Sequence, residues 1–124
     1  MRLLGDFYTI KKSEIVGDNV EITTLINSSH PIYLSHFPNN PITPGVFIVQ
    51  MAQEILENHL NMHLTLQEGK TIKFKAPIYP TSIEEIKFIF SIANREENFI
   101  KVAISVVNEL VLFAKMNLQF KCSQ

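Results

Sequence analysis

The chain has 124 residues, of which 46% are hydrophobic and 19% are charged, a composition typical of globular rather than disordered proteins. This length suffices for one hydrophobic core and hardly for two, so we expect a single domain over residues 1–124. The formal net charge of −1 gives no indication of a nucleic acid partner.

The first 35 residues are predicted to contain one half-buried strand. Asp6 introduces a charge too early for the apolar run of a signal sequence. Residues 7–10 fit either a short strand or a turn, residues 11–14 are predicted to be solvated, and residues 17–19 carry a turn signal. The alternation over residues 20–27 predicts a strand. Its residues on one face are Val20, Ile22, Thr24 and Ile26.

A stiff loop follows at residues 36–45, where three prolines and a glycine occur within ten residues. Proline fixes φ, so this loop has few available conformations. Thr43 is expected to cap the helix that comes next, and Pro44 suits a first helical position. Because Gly45 has no side chain, a ligand can approach the unpaired N–H groups at the start of this helix.

A long helix is predicted from about Pro44 to about His63. Four consecutive apolar residues, Val46 to Val49, point in every direction around it, so we expect its first turn to be buried on all sides. Beyond that turn a polar face develops, so the C-terminal end should reach solvent. The later apolar positions at helical spacing are Met51, Ala52, Ile55, Leu56, Leu60 and Met62.

Four strands are predicted after the helix, at residues 71–78, 85–93, 100–107 and 110–120. Their short connections indicate antiparallel pairing. A helix that is buried around its first turn needs a sheet that curls around it, which gives an α+β fold. The predicted inward residues are Ile72, Phe74, Ala76, Ile86, Phe88, Phe90, Ile92, Ile100, Val102, Ile104, Val106, Leu110, Leu112, Ala114, Met116, Leu118 and Phe120.

Three short motifs carry a resemblance to a known family: His36-Phe37-Pro38, Pro41-Ile42-Thr43-Pro44-Gly45-Val46 and Ala52-Gln53, with Lys73-Phe74-Lys75-Ala76-Pro77-Ile78-Tyr79-Pro80 as a further similar strand. In these motifs the chain resembles the FabZ-like beta-hydroxyacyl-acyl-carrier-protein dehydratases, which have the hotdog fold, and the resemblance extends from about Val20 onward. The position of that family's catalytic Glu is occupied here by Gln50.

The resemblance implies a hotdog fold, in which a curved antiparallel sheet wraps a long central helix. It also implies dehydration of beta-hydroxyacyl thioesters that acyl carrier protein holds on its phosphopantetheine, with no other cofactor and no metal. By this resemblance His36 is the base, and a histidine with a reference pKa near ~6.5 suits that role. Phe37 and Pro38 would contact substrate, and the N–H groups of Gly45 and Val46 would stabilise the enolate oxygen.

Gln50 departs from the family at the residue that should protonate the leaving hydroxyl. An amide is no acid near neutral pH, and losing a general acid costs on the order of a hundredfold to ten-thousandfold in rate. Glu54 lies one turn further along, about 6 Å along the helix axis, and is a poor substitute at that distance. In the family two subunits share each site, so we expect a homodimer or larger assembly, or a heterodimer with a related dehydratase subunit that carries the acid.

Two other functions stay open: a hotdog acyl thioesterase, and a non-catalytic acyl-binding or partner subunit. The sequence also leaves open the acyl chain length, the oligomer size beyond a dimer, and the pathway, which could be fatty acid, lipid, polyketide or pigment synthesis.

The remaining polar residues have ordinary interpretations. His59 and His63 have the spacing of a metal pair but no evident third ligand, so we expect no metal. His30 is interpreted as a turn residue. The lone Cys122 cannot form an internal disulfide, which favours a reducing, cytoplasmic location, and no apolar run is long enough for a membrane span. Lysines that could contact an acidic carrier protein, or simply protect sheet edges, are Lys11, Lys12, Lys73 and Lys75.

Overall fold

The computed structural model describes residues 2–35 and 39–123 and, within them, all side chains except those of residues 68–70. The described residues form a six-stranded sheet in the order β1-β2-β4-β5-β6-β3, and all neighbouring strands are antiparallel. The elements are β1 (Tyr8–Val16), β2 (Asn19–Ile26), α1 (Ile32–Ser35), α2 (Gly45–Leu60), β3 (His63–Phe74), β4 (Glu85–Arg95), β5 (Phe99–Asn108) and β6 (Val111–Ser123).

The core lies between α2 and the inner face of the curled sheet, as expected for a hotdog fold. The helix contributes Met51, Ile55 and Leu56, each no more than 1% exposed. Every predicted inward residue of β5 is buried, as are the first three of β4, because strict alternation places them on the face that α2 covers. No helix in the described part of the chain has the length and apolarity that crossing a membrane requires.

Element boundaries differ from the sequence prediction at three places. β1 runs over Tyr8–Val16, including residues predicted to be solvated, because an exposed edge strand has no burial alternation to read. The helix begins at Gly45 and ends at Leu60, since Asn61 adopts a left-handed conformation (φ 54°) that stops it before His63. β3 begins at His63, eight residues before the predicted Thr71, and ends at Phe74, four residues before the predicted end at residue 78.

Two predictions of burial are wrong. Val46 is 68% exposed, so the first turn of α2 is open to solvent on one side. Leu110 is 96% exposed because it lies in the β5–β6 turn, beside Glu109 at φ 22°. A register shift at Val106/Val107 then brings Phe113 into the core, a residue that is not among the predicted inward positions.

The inner face is incompletely covered at edge strand β3. The predicted inward orientation of Ile72 and Phe74 agrees with the register, because these residues pair with buried Met116 and Ala114 on β6. Even so, Ile72 is 38% exposed, Phe74 is 52% exposed, and Leu66 on the same strand is 38% exposed. We call these three side chains the edge stripe. It is core-facing surface that this chain alone leaves in contact with water.

Candidate active site at the start of helix α2

The N-terminus of α2 has no side-chain cap. Pro44 is the N-cap residue (φ −61°, ψ 139°), and the Phe47 N–H donates to its carbonyl oxygen at 3.0 Å. Within residues 2–35 and 39–123, no acceptor is found for the N–H groups of Gly45 and Val46. Since the first N–H groups of a helix have no intrahelical partner, these two donors and the positive end of the helix dipole point out of its open end.

The expected cap residue, Thr43, has a different role, so that prediction is wrong. Its hydroxyl lies 2.8 Å from the Tyr33 hydroxyl, and both side chains are buried. Its N–H donates to the carbonyl oxygen of Ile78 at 3.0 Å. Burial raises the pKa of Tyr33 to about 12, while the hydrogen bond with Thr43 acts in the opposite direction. These bonds fix the entrance to α2 relative to α1 and to the segment after β3.

An apolar cleft of about 460 Å³ opens at the start of α2. One aromatic ring lies directly over the helix start: a Cβ added to Gly45 would stand 2.7 Å from Cζ of Phe74. The sequence pattern assigned Phe74 only an inward position on a strand. A Pro-Gly pair at a helix start signals a close approach, but it does not reveal which side chain approaches. The cleft is lined by Ile42, Thr43, Gly45, Ile48, Phe74, Lys75, Ala76, Pro77 and Ile78.

Gln50 lies just over one turn after Gly45 and pairs with the next carboxylate on its own helix. Its Nε2 donates to Oε2 of Glu54 at 2.8 Å. Glu54 is only 3% exposed, yet its two oxygens accept three further hydrogen bonds. Two come from the backbone N–H groups of Leu3 and Leu4, each at 2.8 Å, and one from the Tyr8 hydroxyl at 3.1 Å.

This arrangement makes Glu54 an anchor for the N-terminal segment. Both oxygens of Glu54 accept hydrogen bonds, from four donors in all, so this carboxylate is committed to the N-terminal segment and to Gln50. Burial, followed by the adjacent Glu54 charge, raises the pKa of Tyr8 well above its ordinary value. Glu54 therefore does not take the place of the family's acid.

The other predicted residues either lie outside the described part of the chain or have structural roles. His36, Phe37 and Pro38 lie outside the described residues. His30 has the structural role expected of a turn residue: Nδ1 accepts the N–H of Ile32 at 3.1 Å, which leaves Nε2 to donate to an oxygen of Asp6 at 3.0 Å.

The two histidines near the end of α2 form no metal cluster with other residues that the structure describes. His63 pairs instead with a carboxylate oxygen of Glu57 at 3.2 Å.

Comparison with known proteins agrees with the sequence resemblance. A family model described as ApeI-like, ApeI dehydratase, matches residues 12–111. The 3-hydroxyacyl-[acyl-carrier-protein] dehydratase FabZ of Ehrlichia ruminantium is 34% identical over 71 residues, which cover 50% of this chain and 49% of the relative. The enzyme of the same name from Chlamydia pneumoniae is 28% identical over 101 residues, covering 74% of this chain and 66% of the relative. The chain thus spans about half to two thirds of the length of these relatives.

Solved structures with this fold include dehydratases and thioesterases. A chain of the dehydratase heterocomplex ApeI:P from Xenorhabdus doucetiae superposes with a TM-score of 0.69 at 13% identity, covering 92% of this chain and 96% of that one. A thioesterase from Haemophilus influenzae gives a TM-score of 0.63 at 14% identity, covering 94% and 78%. Identities this low establish the hotdog fold and no more. The family-model match covers most of the chain, and we conclude that this chain belongs to the ApeI-like dehydratase family.

Proposed function

We propose that this chain takes part in the dehydration of beta-hydroxyacyl thioesters carried by acyl carrier protein, as one subunit of a site that two subunits share. The observation that carries the proposal is the open start of α2. There the N–H groups of Gly45 and Val46 have no acceptor among the described residues, and an apolar cleft lies beside them. A thioester carbonyl fits this combination of two donors and an apolar wall.

The reaction needs a base, a stabilised enolate oxygen and an acid. Two backbone donors at a helix N-terminus suit the enolate oxygen, and one such donor is typically worth about 3 kcal/mol of activation barrier. By family resemblance, His36 removes the proton from the carbon next to the carbonyl. The acid is the missing part, since Gln50 holds its amide against Glu54 and has no proton to give.

A second subunit would cover the edge stripe, and a subunit that carries the family's Glu would also provide the missing acid. Leu66, Ile72 and Phe74 are apolar, face the core side of the sheet and remain exposed at its edge. Phe74 also lines the cleft, so a subunit that packs on this edge reaches the reacting groups. The partner is either a second copy of this chain or a related dehydratase subunit; the heterocomplex from Xenorhabdus doucetiae supports the latter.

The test is an assay of the purified chain, alone and together with a related dehydratase subunit that carries the Glu. Conversion of 3-hydroxybutyryl-acyl carrier protein into its enoyl product is followed by absorbance, and thiol release is measured in parallel. We expect enoyl product with the partner and at least a hundredfold less without it, the lower bound for loss of a general acid. In the mixed assembly His36→Ala should abolish the reaction. Full activity of the chain as a homodimer would overturn the need for a related partner.

The neutral amide of Gln50 favours one other function, an acyl-binding subunit without turnover. That function predicts acyl-thioester binding in both preparations, no enoyl product, and no effect of His36→Ala on any reaction. Free thiol as the main product would instead indicate a thioesterase, which would overturn the proposed dehydration.

A further inference from the structure

We propose that His30 is a positioning residue: one ring nitrogen caps α1, the other is held by Asp6, and the capped helix fixes the start of α2. The inference rests on the proposed function, because the start of α2 is where that function places the thioester carbonyl. His30 is not among the residues that line the cleft, so it acts through α1 rather than on the substrate.

The two ring nitrogens of His30 have different roles. A backbone N–H always donates, so Nδ1, which lies 3.1 Å from the backbone nitrogen of Ile32, carries no proton. In the neutral ring the proton is then on Nε2, which donates it to Oδ2 of Asp6 at 3.0 Å. The His30 side chain is only 14% exposed, so water competes little for these bonds. Asp6 therefore favours the tautomer that can cap α1.

The bond to Ile32 has the geometry of a helix N-cap. A cap side chain accepts the N–H two or three positions further on, and His30 stands two positions before Ile32. Pro31 lies between them, at the first helical position, where no donor is needed. The backbone turn agrees, since the N–H of Tyr33 donates to the carbonyl oxygen of His30 at 3.1 Å. Because α1 has only four residues, loss of this cap should affect the whole helix.

Two contacts connect α1 with the start of α2. The Tyr33 hydroxyl lies 2.8 Å from the hydroxyl of Thr43, which stands two residues before α2 begins. The fully buried ring of Phe7 lies edge-on to His30 and to Phe47, with ring centres 5.3 Å and 4.9 Å away. Phe47 belongs to the first turn of α2. A shift of α1 would therefore be passed to the open start of α2.

The matched variants are His30→Asn and His30→Gln. Both lose the ring and its contact with Phe7, so they differ chiefly in where the side-chain amide lies. Asparagine is a preferred N-cap residue, and its oxygen lies close to the position of Nδ1, where it can accept the N–H of Ile32. Glutamine carries its amide further out, towards Asp6, and has no polar atom at the position of Nδ1. Only the asparagine variant therefore keeps the cap.

Amide hydrogen exchange measures the connection without any substrate. In His30→Gln we expect faster exchange at Ile32, whose N–H loses its acceptor. We also expect about fivefold faster exchange at Thr43, whose N–H is bonded to Ile78 and not to His30. A factor of five corresponds to about 1 kcal/mol, the usual contribution of a cap. His30→Asn should keep the wild-type rates at both positions, whereas faster exchange at Ile32 alone would overturn the positioning role.

The unmodified protein provides a spectroscopic signature that does not depend on either variant. In ¹⁵N NMR spectra at pH 8, Nε2 of His30 should carry the proton and Nδ1 should not, as the cap requires. The reverse tautomer would leave the N–H of Ile32 without this acceptor. It would overturn the inference even if both variants fail to fold.

Turnover in the mixed assembly tests the step from α1 to the reaction. Misplaced donors for the enolate oxygen lower kcat and leave KM nearly unchanged, because they act mainly in the transition state. We expect His30→Gln to lower kcat about tenfold with KM within about twofold, and His30→Asn to recover most of the loss. Equal kcat values in the two variants would overturn the role in the reaction. Absence of enoyl product from the wild type would overturn the proposed function as well, while exchange at Thr43 still decides whether His30 fixes the start of α2.

Discussion

Gly45 leaves no room for a side chain, because the ring of Phe74 lies directly over it. At an ordinary helix position, a Gly→Ala substitution stabilises the folded protein by ~0.5–1 kcal/mol. Here the new methyl group would lie 2.7 Å from Cζ of Phe74, so the ring must move. We expect Gly45→Ala to show little or none of that stabilisation and to weaken acyl-pantetheine binding about tenfold or more, a loss of roughly 1.4 kcal/mol.

The check is calorimetric titration together with urea unfolding. The double variant Gly45→Ala/Phe74→Ala removes the ring that the methyl group would meet and should recover part of the lost affinity. Higher stability with unchanged binding in the single variant would show that the Phe74 ring adapts freely, contrary to the expected close fit.

Tyr33 links the site to alkaline stability. Burial raises its pKa from 10.0 to about 12, so above pH 10 the unfolded chain loses this proton before the folded chain does. The contribution to stability is complete below pH 10 and declines as the pH rises towards 12. Tyr33→Phe should therefore show a shallower decline of the urea midpoint between pH 10 and pH 12, and a loss of about 1 kcal/mol at pH 8 from the missing Thr43 bond. Equal slopes would contradict the burial effect.

Restoring the family's carboxylate at position 50 is expected to lower the stability of the folded protein. Gln50→Glu would place a second carboxylate about 2.8 Å from Glu54, in partly buried surroundings. Like charges so close cannot both ionise without cost, so the pair should share a proton. We expect the variant to lose stability relative to wild type as the pH rises from 5 to 8, measured by chemical unfolding.

The charge-exchanged double variant, Gln50→Glu/Glu54→Gln, has one carboxylate in the pair again. It should regain part of the stability at pH 8. A single variant that is as stable as wild type at both pH values would show that the two groups separate more easily than the structure indicates.

At the scale of elements, alternation predicted strands with a buried face and missed the others. β4 and β5 were predicted almost completely, since one face of each packs on α2. β1 was predicted only in part, as a short strand or turn at residues 7–10, because nearly all of its residues are exposed. The early start of β3 was missed because the strand carries two register irregularities. Local periodicity contains no information on either property, as both depend on neighbouring strands.

The edge of β3 leaves core-facing apolar side chains exposed to solvent. Ile72 faces the core side of the sheet but is 38% exposed. If a second subunit packs on this edge as proposed, Ile72→Asp should convert the assembly to a monomer, because a charge in a buried interface must be desolvated without a partner. Size-exclusion chromatography with light scattering measures the mass.

Leu110→Asp introduces the same charge at the β5–β6 turn, where the side chain is 96% exposed. It should leave the mass unchanged. An oligomer that survives Ile72→Asp would show that assembly uses another surface.

At the scale of the whole molecule, the sequence predicted the fold, while the roles of the site residues stay predictions. The matching motifs indicated the hotdog arrangement, which the solved structures support, and the long helix begins at Gly45, one residue after the predicted Pro44. The sequence did not reveal the Phe74–Gly45 contact or the hydrogen bonds that the N-terminal segment donates to Glu54. Both join residues that are distant in sequence, 29 positions apart for the first and up to 51 for the second, so no local pattern specifies them.

Assembly should also be visible in the unfolding of the intact protein. If two subunits cover each other's edge stripes, the folded state is stabilised by association, and its melting temperature must rise with protein concentration. We expect a rise of several degrees from 1 to 100 µM, measured by differential scanning calorimetry. A constant melting temperature would require either a monomer or an assembly that stays associated at 1 µM, and the light-scattering mass distinguishes these.

The single thiol allows a distance between two subunits to be measured. Cys122 is half-buried on β6, opposite Leu64 on the edge strand β3. A nitroxide attached there would give one spin per chain without any engineered cysteine. Two identical subunits related by a twofold axis would then yield one sharp interspin distance by pulsed electron resonance, whereas a mixed pair in which only this chain is labelled would yield none. The same label would thus distinguish a second copy of this chain from a related subunit at the edge of β3.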